Sequence, residues 1–255
     1  MMPEPSADLA AGRGADPAVG CPAAAAPRVL PRLWPPARCA GLLDLADRIA
    51  ASLAPGDPQL QPSSGSMRLG ALGGKVFAGL LHELWRGPAA DVLRDRVGAA
   101  PLCLVSQCWV RRQYPAALRP AGQFPHQWHQ DGALGCRFDG APGRESLAPI
   151  TTLWLPLLDC GDDAPSLEWV DAQLHAVLQP AELSDDAVLR RWGPQARRHA
   201  RLAAGESLVF GPGLLHRTHV TAAMRRRRVS VEWRFIAAGA VPQRLKDEAQ
   251  CPVPT

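Results

Sequence analysis

The alternation of apolar and polar side chains divides the chain into two textures. Between residues 40 and 97 apolar residues recur every three or four positions. Leu42, Leu45, Ala46, Ile49 and Leu53 form one stripe, and Val76, Phe77, Leu80, Leu81 and Leu84 form a second that Gly87 and Pro88 bring to an end. This spacing lays an apolar face along an α-helix, and 89–97 fits a further short one. From residue 101 the period falls to two. Short β-rich runs at 101–111, 126–138, 150–158, 166–171, 199–203, 206–210, 214–220 and 228–236 are separated by turn residues. They predict a barrel or jelly roll of short strands. The last run is the most regular: Val229, Val231, Trp233 and Phe235 line one face, and Arg228, Ser230, Glu232 and Arg234 the other. The segment 172–198 reads as a helical insertion between strands.

These patterns predict a mainly β fold with flanking α-helices. Residues 1–30, rich in Ala, Pro and Gly and without periodicity, read as a disordered or loosely ordered tail. Residues 31–240 read as a single domain with a helical part (40–97) and a β core (101–236), and 241–255 as a C-terminal tail. At 255 residues, 47% hydrophobic and 20% charged, the composition is that of a globular protein. No apolar run is long enough for a membrane-spanning helix, and the charged N-terminus lacks the apolar stretch of a signal peptide. The net charge of +4 is mild, and the basic residues are nearly all Arg, with lysine only at Lys75 and Lys246. Arg225 to Arg228, without interleaved aromatics, do not make a nucleic-acid surface. Seven cysteines without a C-x-x-C pair predict free thiols in a cytoplasmic protein. Cys103, Cys108 and Cys136 read as small buried apolar residues.

Candidate chemistry concentrates in His126-Gln127-Trp128-His129-Gln130-Asp131-Gly132 and in a distant His216. On a strand, residues i and i+2 project to one side, so His129 and Asp131 can share a metal. His216, after a predicted strand and the turn Gly211-Pro212-Gly213, is the best third ligand. Two imidazoles and one carboxylate suit Fe(II) with open positions. His126 competes with this set through an H-x-x-H spacing, and His219 competes with His216. A second feature is Arg228-Val229-Ser230, which puts a guanidinium and a hydroxyl on one strand face, a grip for the far carboxylate of a 2-oxo dicarboxylic acid. Parity with Ser230 favours Arg228, then Arg226. Gln107 and Thr152 are further candidate contacts to co-substrate or substrate, and Trp128 and Trp233 read as packing residues. The residues alone leave three readings open: an Fe(II)/2-oxoglutarate oxygenase, a cupin-like metalloenzyme that does not use 2-oxoglutarate, and a non-catalytic β-barrel binding protein.

In order and content these pieces resemble the phytanoyl-CoA dioxygenase-like superfamily of Fe(II)/2-oxoglutarate-dependent oxygenases. The resemblance rests on His129-Gln130-Asp131, the run Ile150 to Asp159, Pro165 to Val170, Gly205 to Phe210, His216 and Arg228-Val229-Ser230, together about half the chain. It implies a double-stranded β-helix (jelly-roll, cupin-like) core and Fe(II) on His129, Asp131 and His216. It also implies 2-oxoglutarate at Arg228 and Ser230, and O2-dependent hydroxylation of a small organic molecule with release of succinate. Asp131 separates the chain from halogenase relatives, which lack the carboxylate. Two departures stand out: Val170 to His175 replace a Pro-Gly-Ser-His-like segment, and the usual Asn downstream of the distal histidine is absent.

Overall fold

The computed structural model describes residues 26–138 and 145–254, so most of the expected N-terminal tail lies outside the described residues. Among the described residues there are four α-helices: α1 (Pro36–Ser52), α2 (Gly74–Arg86), α3 (Ala90–Val97) and α4 (Asp185–Trp192). The strands are β1 (Arg28–Leu30), β2 (Leu60–Gln61), β3 (Ser66–Arg68), β4 (Pro101–Leu104), β5 (Trp109–Gln113), β6 (Thr151–Pro156), β7 (Ser166–Val170), β8 (Arg197–His199), β9 (Ser207–Phe210), β10 (His216–His219), β11 (Arg228–Ala237) and β12 (Gln250–Pro252). They form two sheets. The larger runs β1-β9-β6-β11-β5-β3-β2, with β4 continuing beside β11 and carrying β12; the smaller is β10-β7-β8. All pairings are antiparallel. The architecture is a double-stranded β-helix with helices on one side.

β11 shows why the layers form. Its apolar face, Val229, Val231, Trp233 and Phe235, is fully buried against the helices. Phe77 of α2 meets Trp233 with ring centroids 5.1 Å apart, and Trp85 meets Phe235 edge-on at 5.3 Å. Each such aromatic removes about 150–250 Å² from water. The helices owe their position to this burial more than to end capping: α1 starts with Pro36 at its first position and has no side-chain cap. The opposite face of β11 is polar and also buried, which an ordinary half-exposed sheet does not allow. It faces the interior between the sheets.

Several sequence boundaries change. The expected strand 126–138 is reduced to a bridge at His129, followed by a 3-10 turn at Asp131–Ala133. Gly132 N–H donates to the Pro212 carbonyl at 3.0 Å, an approach that a Cβ would block, since it would lie 2.7 Å from Pro212 Cβ. The run 101–111 is broken by a 3-10 turn at Val105–Gln107. The expected strand 199–203 is displaced to β8, leaving one bridge between Cys160 and Leu202. Both expected tails contain structure: β1 pairs with β9, and β12 pairs with β4, with Leu245 and Val253 buried. The insertion 172–198 contains α4, as its composition suggests. Cys103 and Cys108 are buried, whereas Cys136 is only partly so.

Because Trp233 joins the large sheet to α2, Trp233→Ala is expected to cost about 3–5 kcal/mol, read as a lowered urea midpoint at unchanged slope.

Candidate active site

His129 and His216 come together through a two-residue bridge between the sheets. His129 N–H donates to the His216 carbonyl at 2.9 Å, and His216 N–H returns the bond at 3.0 Å. Each ring also donates its Nδ1–H to a nearby carbonyl, His129 to Gln127 at 2.7 Å and His216 to Leu214 at 3.0 Å. A carbonyl only accepts, so these bonds fix the tautomer and leave both Nε2 lone pairs free for a metal. Asp131 opens the 3-10 turn, and its Oδ1 lies 3.9 Å from His129 Nε2. The ligand atoms of His129, Asp131 and His216 all lie within 4.8 Å of one another. The predicted set is therefore brought together, although by a bridge and a turn rather than by neighbouring positions on one strand.

The competing histidines are engaged elsewhere. His126 Nε2 meets Arg111 Nη1 at 2.6 Å, and His219 stacks on His199 with centroids 4.5 Å apart. Trp128 packs with Val170, Val188 and Leu215, as expected from its position.

The polar face of β11 organises the interior. Arg228, Ser230, Glu232 and Arg234 are 1%, 0%, 6% and 5% exposed. Arg234 donates to Asp131 Oδ1 at 2.8 Å and to the Gln107 carbonyl at 2.7 Å. Thr152 donates to Asp131 Oδ2 at 2.6 Å. Glu232 accepts from Arg111 at 2.5 Å. Burial alone would raise both carboxyls; Arg234 for Asp131, and Arg111 with Arg234 for Glu232, outweigh it and hold them below their ordinary range. Burial and the neighbouring His216 lower His129 to about 4, so its imidazole is neutral at pH 7. Burial and Arg111 lower His126 to about 2.

Arg228 differs from its neighbours. Its Nε has no partner, its Nη1 reaches only the Ser166 carbonyl at 3.5 Å, and its guanidinium sits 5.3 Å from the Trp154 ring centroid. Ser230 Oγ and Trp154 Nε1 also lack partners. Burial lowers the guanidinium to about 10, which leaves it charged at pH 7. A buried cation beside two unused donors is costly unless an anion joins them.

The remaining candidates separate. Arg226 does not share the Ser230 side, because β11 begins only at Arg228; it forms a surface ion pair with Asp163 at 2.6 Å. Arg227 pairs with Asp47 in the same way. The Gln107 side chain donates to Glu248 at 3.0 Å, and it is the backbone carbonyl that serves the interior. Sequence reasoning missed Arg234, Glu232 and Arg111 as site residues. The signal was present for the first two, in the strict alternation that puts them beside Arg228 and Ser230.

A cavity of about 370 Å³ opens on His129 and Asp131. Arg111, His126 and Arg234 lie on its polar side, and Leu134, Phe138 and Leu178 on its apolar side. Gln130, between the two ligands, ties the 172–178 loop to the site: its amide accepts from Leu178 N–H at 2.8 Å and donates to the Ala176 carbonyl at 3.1 Å.

No family model and no curated protein matches the sequence. Solved structures do match. EctD from S. alaskensis, crystallised with 2-oxoglutarate and 5-hydroxyectoine, superposes with a TM-score of 0.61 at 16% identity, over 84% of this chain and 73% of its own. HygX from Streptomyces hygroscopicus, with nickel and 2-oxoglutarate bound, gives 0.60 at 17% identity over 83% and 82%. The epimerase SnoN, in complex with Fe3+, alpha ketoglutarate and nogalamycin RO, gives 0.60 at 16% identity over 83% and 79%. The chain has the double-stranded β-helix fold of these proteins.

Two outcomes are expected. Arg234→Leu leaves Asp131 without its buried cation and should weaken Co(II) binding about 10–100-fold, measured by titration. The metal-free protein should lose stability as pH falls from about 7 towards 4. His126 and His129 resist protonation in the fold, whereas the unfolded chain protonates below about 6.5. Each contributes up to about 1.4 kcal/mol per pH unit, less for the partly exposed His129. Below about pH 4 the carboxylates Asp131 and Glu232 add to the loss. Urea melts across this range, with His126→Phe flattening the upper part, check the assignment.

Proposed function

We propose that the protein is a non-haem Fe(II)- and 2-oxoglutarate-dependent dioxygenase that hydroxylates a small organic molecule and consumes O2. The observation that carries this reading is Arg228, a buried guanidinium with Ser230 Oγ beside it on one face and no anion of its own. The donor set fits the metal: two neutral imidazoles with oriented Nε2 atoms and one carboxylate suit Fe(II). The fit to a dicarboxylate is equally specific. A bidentate guanidinium and a hydroxyl satisfy one carboxylate, and the charge that burial makes costly is neutralised. A metal centre working without such a co-substrate would leave Arg228 unpaired. That three proteins of this fold were crystallised with 2-oxoglutarate or alpha ketoglutarate supports the same reading.

When bound, Fe(II) with 2-oxoglutarate supplies oxidative decarboxylation to succinate coupled to oxidation of the substrate. The chain's own residues bind and orient. His129, Asp131 and His216 would hold the metal. Arg234 and Thr152 fix the Asp131 carboxylate, and Arg228 with Ser230 sets the depth at which a dicarboxylate enters. Leu167, Leu208 and Phe210, buried with Trp154, line an apolar interior that keeps water out. The cavity that opens on His129 and Asp131 receives the substrate.

Anaerobic addition of 2-oxoglutarate to the Fe(II)-loaded protein should produce a visible metal-to-ligand charge-transfer band. His216→Ala should abolish it. Arg228→Ala should raise the 2-oxoglutarate Kd by about 100-fold or more, since it removes the buried cation beside Ser230. A protein that binds iron but shows no band would overturn the reading.

A further inference from the structure

We infer that the cavity takes an organic acid, whose carboxylate meets Gln61, Trp109 and His126 while its hydrocarbon part lies against Leu134, Phe138 and Leu178. This rests on the reading of His129, Asp131 and His216 as an oxygenase metal site, and it names the substrate class of that site. The polar side chains on the cavity wall carry it.

Most of the side-chain acceptors are engaged, Gln107 Oε1 being the exception among the described residues. Asp131 uses one oxygen for Arg234 and the other for Thr152, besides its metal-facing role. Behind the wall, Glu232 is held by Arg111 and Arg234. The Gln107 amide nitrogen donates to Glu248, and the Gln130 amide is satisfied on both its oxygen and its nitrogen. Gln61 Oε1 accepts from Ser64 Oγ at 2.9 Å.

What otherwise remains among the described residues is donors. Gln61 Nε2 makes no hydrogen bond within the protein. His126 Nε2 faces a guanidinium, which can only donate, so the proton sits on Nδ1, and that N–H has no protein partner. The Trp109 indole N–H, a donor only, is likewise unused. Behind Trp109 stand two cations, with Arg68 4.7 Å and Arg111 5.4 Å from its ring centroid, and Arg68 Nη1 is buried without a partner.

The charge points the same way. Arg111 and Arg234 balance Asp131 and Glu232, and Arg68, behind Trp109, adds a positive charge to this side. A monocarboxylate neutralises it and accepts from the free donors. An ammonium group is repelled by that charge and meets carboxylates already held by guanidiniums. Opposite, the apolar side chains remove the rest of such a molecule from water.

The test uses the anaerobic protein loaded with Fe(II) and saturating 2-oxoglutarate, so that Arg228 is occupied. It is titrated calorimetrically with three probes on one skeleton: 4-phenylbutanoate, 4-phenylbutanamide and 4-phenylbutylamine. The acid should bind about tenfold or more tighter than the amide, and the amine should not bind. Gln61→Leu with His126→Phe should weaken the acid about tenfold or more, read in preparations whose charge-transfer band shows metal and 2-oxoglutarate in place. An amine that binds as tightly as the acid overturns the inference. So does an acid unaffected by the double variant, or no acid binding at about 10 mM. Loss of the band itself would instead defeat the reading under Proposed function.

Discussion

Burying a charge without a partner is among the costliest things a fold can do, and this interior buries five around one strand. Arg228, Glu232 and Arg234 come from β11, Arg111 from β5 and Asp131 from the turn after His129. Pairing them dictates the neighbourhood. Arg234 must reach Asp131, which brings the turn against the sheet. Glu232 must reach Arg111, which aligns β5 with β11. Two carboxylates cannot satisfy three guanidiniums, and the one left over is Arg228. Everything else about the centre follows from where that imbalance is placed.

The same strand builds both layers of the molecule. Its odd-numbered side chains are apolar and hold the helices; its even-numbered ones are polar and hold the site. A one-residue slip would exchange the two faces, putting guanidiniums into the helix interface and Trp233 among the metal ligands. Register here is therefore a condition of chemistry as much as of stability. The long pairing with β6, from Ser230 opposite Pro156 to Phe235 opposite Thr151, fixes it.

Much of this was legible in the sequence. The metal ligands, the Arg228–Ser230 pair, the two helical stripes and the alternation of 228–236 depend on local spacing, which a sequence displays directly. What escaped depended on contacts between distant segments. The turn at Asp131 packs against Pro212, some eighty positions away, so residues 126–138 read as a strand until the neighbour is known. β1 and β12 lie in segments whose composition suggests looseness, and partners elsewhere in the chain order them. Arg226 was misplaced because parity was counted past the point where β11 begins. Arg234 and Glu232 were visible on the right face, but a polar face looks the same in sequence whether it meets water or a buried site.

The Gln107 linkage gives the far end of the chain a hold on the centre. Glu248 holds Gln107, the Gln107 carbonyl holds Arg234, and Arg234 holds Asp131. β12, next to Glu248, is a three-residue edge strand, the sort of element that frays before the rest of a domain. Fraying there loosens a metal ligand while disturbing little of the core beyond Cys251 and Val253. Metal retention and global unfolding are thus separable events in this molecule, and heat would empty the centre of a protein that is otherwise still folded.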